Sequence, residues 1–164
     1  MAGNAPQQTH CQPLSETPGP EAALARAEAL CAARGVQLTP LRRQVLALVL
    51  EAEQPIGAYA LLERLRERRG PAAPPTVYRA LDFLLEQGLV HRIERLNAFT
   101  ACAGPGQAHQ HQFLICRGCG TAAEISDAEV AAALAQAASR AGFRAQRMTV
   151  EIEGLCAACG GPGG

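Results

Sequence analysis

Pro74-Pro75-Thr76-Val77-Tyr78-Arg79-Ala80-Leu81-Asp82-Phe83-Leu84-Leu85-Glu86-Gln87-Gly88 decides how the N-terminal part of this chain folds. The prolines suit a first helical turn, where a missing N–H is no loss, and Gly88 suits the helix end. Between them Val77, Leu81, Leu84 and Leu85 recur at i, i+4, i+7 and i+8, one apolar stripe of a helix. Directly after come Leu89–Glu94 and Arg95–Ala101, two β-prone runs joined near Leu96-Asn97, which predict a two-stranded hairpin.

Upstream, three more helices are predicted. Glu21–Arg34 carries Leu24, Ala27, Leu30 and Cys31 on one face and stops at Gly35, with Cys31 packing as a small hydrophobe. Thr39-Pro40 is a cap and first-turn proline opening a helix with Leu41, Val45, Leu48 and Val49 inward. After Gly57, Leu61, Leu62 and Leu65 alternate with outward Arg64, Arg66, Arg68 and Arg69 until Gly70-Pro71. Helices followed by a hairpin is the winged-helix order, in which the fourth helix enters the DNA major groove and the hairpin is the wing. Such a helix touches bases with its first turn or two, which here carries Thr76, Tyr78 and Arg79. Arg79 could grip guanine, Tyr78 could reach a phosphate or a thymine methyl, and Tyr59 is a weaker candidate. Asp82 and Glu86 would repel phosphates, so only the helix start can go deep. The bland reading of Arg79 is a solvated helix charge.

Downstream, Ala103-Gly104-Pro105-Gly106-Gln107 is a run of breakers and reads as a hinge. Beyond it stand two Cys-x-x-Cys knuckles, Cys116/Cys119 and Cys156/Cys159, 36 residues apart. Four thiolates in this spacing suit one tetrahedral structural Zn²⁺. Around them, Gln112–Cys116 and Thr121–Ile125 predict strands, Asp127 caps a helix ending at Gly142, and the alternation of Arg144–Glu153 predicts a further strand. The expected fold is α+β: a winged-helix DNA-binding domain at 21–101, a hinge at 102–108 and a small α/β domain at 109–160. Residues 1–20, with His10 and Cys11, read as a disordered tail, and Gly160–Gly164 as loose.

The histidines outside the tail gather around the hinge: His91, His109 and His111. Cys102 lies between them, and Glu124 follows the first knuckle. Imidazole, thiolate and carboxylate together form a tetrahedral Zn²⁺ set, with sulfur favouring zinc over iron or manganese. A metal held by residues from wing, hinge and second domain would lock the domains in one orientation, a sensor geometry.

Other features set limits. No run of eighteen apolar residues predicts a membrane span, and no basic-then-apolar start predicts a secretory signal. Seven cysteines without such a signal favour the cytoplasm and metal-bound thiols. Net charge is zero and every basic residue is arginine, a composition that neither establishes nor excludes nucleic acid. The rival from another class is a thiol–disulfide enzyme, which would place its Cys-x-x-Cys at a helix start after a strand; these knuckles are expected in turns between strands.

Leu38-Thr39-Pro40-Leu41-Arg42, the Pro75–Leu81 run and His109-Gln110-His111-Gln112-Phe113-Leu114-Ile115-Cys116-Arg117-Gly118-Cys119-Gly120 resemble signatures of the ferric uptake regulator (Fur) family. The resemblance covers roughly residues 21–160, and Ala80–Gly88 is most similar to the zinc-responsive branch. It implies a homodimeric, non-enzymatic repressor that binds double-stranded operator DNA when zinc-loaded, with no small-molecule substrate. It also implies two zinc ions per chain: Cys116, Cys119, Cys156 and Cys159 as structural ligands, and His91, Cys102, His109 and Glu124 as regulatory ligands. His111 is the substitute for His109. The alternative inside the family is a sensor of iron, nickel or peroxide, which a thiolate at position 102 disfavours.

Overall fold

A computed structural model describes residues 19–106, 111–146 and 148–161. Four helices come first: α1 (Pro20–Ala33), α2 (Pro40–Leu50), α3 (Ala58–Arg69) and α4 (Pro74–Glu86). A hairpin of β1 (Val90–Ile93) and β2 (Ala98–Ala101) follows. The remainder is β3 (His111–Cys116), β4 (Ala122–Ile125), α5 (Ala128–Arg140), β5 (Thr149–Gly154) and the single turn α6 (Ala157–Gly160). This is the winged-helix unit followed by a small α/β unit that the patterning predicts.

The helix starts follow local chemistry. Proline occupies the first turn of α1, α2 and α4, and the Thr39 hydroxyl accepts from the Arg42 amide at 3.5 Å. The Asp127 carboxylate accepts from the Glu129 and Val130 amides, capping α5. Asn97, at φ 46°, makes the wing turn, a conformation asparagine tolerates better than most residues.

Leu24, Ala27 and Cys31 of α1, Val45, Leu48 and Val49 of α2, Leu61, Leu62 and Leu65 of α3, and Val77, Leu81 and Leu84 of α4 share one core. Burying each large side chain contributes about 1.5–3 kcal/mol. Val90 and Phe99 extend this core into the wing, and Phe99 also exchanges backbone hydrogen bonds with Ile56, just before α3. Ile93, also buried in the wing, instead joins Phe113, Ile115 and Ala122 in a second core. One wing strand thus serves both cores.

In the second unit β3 is central, antiparallel to β4 and parallel to β5. Of the strand predicted over 144–153, β5 takes Thr149–Gly154, with Thr149 paired to His111. Helix α5 buries none of its residues in this chain; Val130, Leu134, Phe143, Ile152 and Leu155 are exposed.

Candidate metal centres and nucleic-acid interface

The parallel pairing of β3 with β5 sets Cys116 beside Gly154, and the Arg117 amide donates to the Gly154 carbonyl at 2.9 Å. Both knuckles therefore leave the sheet from adjacent points. The sulfurs of Cys116, Cys119, Cys156 and Cys159 converge, all within 4.8 Å of one another. Gly118 lets the knuckles close, since a Cβ there would lie 2.8 Å from the Cys159 Cβ and 2.9 Å from its sulfur. The Cys156 amide donates to the Cys116 sulfur at 3.3 Å, and this and the Cys119 amide lower the Cys116 thiol to about 6. Hydrogen bonding with Cys116, then burial, pushes the Cys159 thiol up to about 11. Zinc binds thiolates, so its binding would release thiol protons, and four sulfurs at this separation fit a tetrahedral zinc.

The second knuckle corrects one expectation. Cys156 follows β5 and caps α6, so it sits at the start of a helical turn after a strand, not between strands. That criterion does not separate this chain from a thiol–disulfide enzyme; the meeting of all four sulfurs does.

A second cluster forms across the hinge. His91 of β1 is buried, with its ring against Phe113 at 5.7 Å between centroids. Its Nε2 lies 3.1 Å from the Glu124 Oε1 of β4, and His111 Nδ1, at the start of β3, lies 3.4 Å from the same oxygen. The two imidazole centroids lie 3.8 Å apart with the rings tilted by 42°, and the three donors fall within 4.8 Å of one another. The other Glu124 oxygen accepts from the Ala103 amide at 3.0 Å, which ties the carboxylate to the hinge. Two nitrogens and an oxygen, nearly dry and drawn from both units, fit a divalent cation with one position left.

Cys102 is buried beside this cluster, its amide donating to the Leu89 carbonyl. Burial first, then the Glu124 charge, push its thiol up to about 12. Its sulfur stands outside the set that meets within 4.8 Å among the described residues. His109 lies outside the described residues, as do His10 and Cys11. The histidine brought to the cluster is His111, the substitute in the sequence reading. His111 shares a face of β3 with Phe113, but period-2 alternation by itself does not choose between His109 and His111.

The start of α4 presents Tyr78 and Arg79 to solvent with Thr76 half-buried, while Val77, Ala80 and Leu81 face the core. Among the described residues Arg79 makes no ion pair, and Tyr59 is exposed at the start of α3. Arg42 lies 3.6 Å above the Phe83 ring and donates to the Gln37 carbonyl at 2.8 Å. A cation over an aromatic face is worth about 0.5–2 kcal/mol and here fixes α4 against α2. No periodicity shows that contact in advance.

A match to the ferric uptake regulator family spans residues 33–153. The zinc uptake regulation protein of Escherichia coli (strain K12) is 45% identical over 137 residues, 83% of this chain and 80% of the relative. Among solved structures, a zinc uptake regulator complexed with zinc and DNA superposes with a TM-score of 0.82 at 44% identity, covering 85% of this chain and 93% of that one. Holo XcZur gives 0.79 at 46% identity over 85% of this chain and 97% of its own. Apo XcZur gives only 0.52 at 44% identity, over 87% and 99%. At nearly equal identity, this chain superposes better on holo than on apo XcZur.

Proposed function

The chain belongs to the ferric uptake regulator family, and from that premise we propose that it is a zinc-responsive transcriptional repressor. It binds operator DNA as a zinc-loaded homodimer, controls zinc-uptake genes and has no enzymatic activity. The observation that carries this reading is the hinge cluster. His91 comes from the wing and His111 and Glu124 from the second unit, yet their donors fall within 4.8 Å.

The two donor clusters support a reading of two zinc ions per chain. Cys116, Cys119, Cys156 and Cys159 hold the structural ion. His91, His111 and Glu124 hold the regulatory ion, with Cys102 or His109 completing the tetrahedron. Bound there, zinc supplies a positive charge that needs donors from both units at once. The working division is a DNA-binding unit at 21–101, a hinge at 102–108 and a dimerisation unit at 109–160. Val130, Leu134, Phe143, Ile152 and Leu155 give the second unit an apolar surface that a second copy would cover. In the dimer two α4 helices face DNA one turn apart, about 34–36 Å, with Thr76, Tyr78, Arg79 and Tyr59 as the reading residues. A repressor with DNA as its partner and reduced thiols as ligands works in the cytoplasm.

Titrating the protein onto operator DNA at buffered free zinc tests this. Zinc should tighten binding about 5–150-fold, the range of a 1–3 kcal/mol coupling. Tightening by iron but not zinc would assign the scaffold to another metal, and no metal response would overturn the sensor reading.

A further inference from the structure

The two units touch a second time, on the far side of Phe113 from the hinge cluster. Phe113 pairs with Glu124 on one side and with Glu151 on the other. The Glu151 carboxylate, on β5, accepts from two consecutive backbone amides at the wing turn: Glu94 at 2.7 Å and Arg95 at 3.1 Å. Beside it the Arg95 guanidinium pairs with Glu153 at 2.9 Å. A third link joins the loop before α3 to the first knuckle, where the Gln54 amide donates to the Cys119 carbonyl at 2.7 Å. Gly120 leaves room for it, because a Cβ there would lie 3.3 Å from the Gln54 oxygen.

We propose that Glu151 is a positioning residue, the centre of a metal-independent clasp that holds the wing on the dimerisation unit and thereby sets how much zinc the regulator needs. The inference rests on the sensor reading above. A carboxylate between two neighbouring N–H groups fixes both distance and orientation, which a lone surface ion pair does not. Glu151 and Glu153 lie on the strand that leads through Gly154 into Cys156, so the clasp is anchored to the four-cysteine site. The arrangement in which it forms is the one that superposes on the holo relative.

The consequence is a matter of linkage. If the hinge donors meet only when the wing is docked, apparent zinc affinity equals intrinsic affinity multiplied by the docked fraction. Weakening the clasp lowers that fraction before zinc binds. Once zinc is saturating, docking is complete and DNA binding recovers.

The test is Glu151→Ala in the full-length homodimer, titrated onto operator DNA across buffered free zinc. The expected result is a zinc midpoint moved up roughly 3–30-fold, the range for losing hydrogen bonds to a partly exposed charged group. Plateau DNA affinity, dimer mass and zinc content at saturation stay at wild-type values. Arg95→Ala, which leaves β5 intact, should move the midpoint in the same direction by less. Glu151→Gln keeps one acceptor and should fall between wild type and Glu151→Ala. Unchanged midpoints in Glu151→Ala and Arg95→Ala overturn the clasp, as does a lowered plateau at an unchanged midpoint. If Glu151→Ala does not fold, Arg95→Ala alone decides. If the wild type itself ignores zinc, the sensor reading fails, an outcome distinct from failure of the clasp.

Discussion

The two donor clusters differ in what brings their residues together. The four cysteines lie in one unit, at the ends of two strands already paired in register, so folding that unit assembles the site. The hinge donors come from a wing strand and from a sheet in the other unit, so they meet only when the two units dock. A site built within one unit stabilises; a site built between two units reports their arrangement. Under the function proposed above, zinc would act as a staple in the first place and as a sensor in the second.

The largest expected effect strikes the staple. Cys156→Ser removes one of four thiolates, and structural zinc supplies an apparent 10–16 kcal/mol at pH 7, comparable to or larger than the whole stability of a small domain. The second unit should unfold and the dimer dissociate, as read by circular dichroism and mass. A folded, dimeric Cys156→Ser that still represses would break the distinction from its first side.

Cys102→Ser strikes the sensor and should spare the fold. Zinc-dependent tightening on operator DNA should disappear, a loss of about 1–3 kcal/mol of coupling, with about one zinc per chain retained. A variant that responds to zinc as the wild type does would leave Cys102 a buried thiol beside the site and put His109 in the fourth position.

Arg79→Ala touches neither cluster. It should cost about 1–3 kcal/mol of discrimination at one guanine per half-site while zinc content and dimer mass stay unchanged. Equal losses on operator and random DNA, measured side by side, would instead make Arg79 a phosphate anchor. The smallest effect is Thr39→Ala, which removes the α2 cap for about 0.5–1 kcal/mol, read as a lower melting temperature with zinc response intact.

Much of this architecture was legible in the sequence because local chemistry sets it. Paired prolines and Gly88 bracket α4, and Val77, Leu81 and Leu84 mark its buried stripe. Asp127 announces α5 as a cap, and the knuckle spacing announces four converging sulfurs. What stayed hidden depends on partners distant in the chain. The parallel register of β5 on β3 joins His111 with Thr149, a pairing that no local pattern shows. Alternation places Glu151 on a face with Thr149 and Glu153 but cannot say that the wing turn lies against it. Choosing between His109 and His111 needs the sheet register, and only His111 is among the described residues. The helical turn at the second knuckle is equally invisible in a run of Ala, Cys and Gly.

The central claim is that the hinge cluster is a regulatory zinc site separable from the staple. Graded chelation of the zinc-loaded dimer, with zinc per chain, dimer mass and operator affinity followed together, tests it most directly. One zinc per chain should leave first, and operator affinity should fall about 5–150-fold at that step while the dimer persists. Loss of both ions in a single step with the dimer, or full operator affinity retained until the last zinc departs, would contradict it.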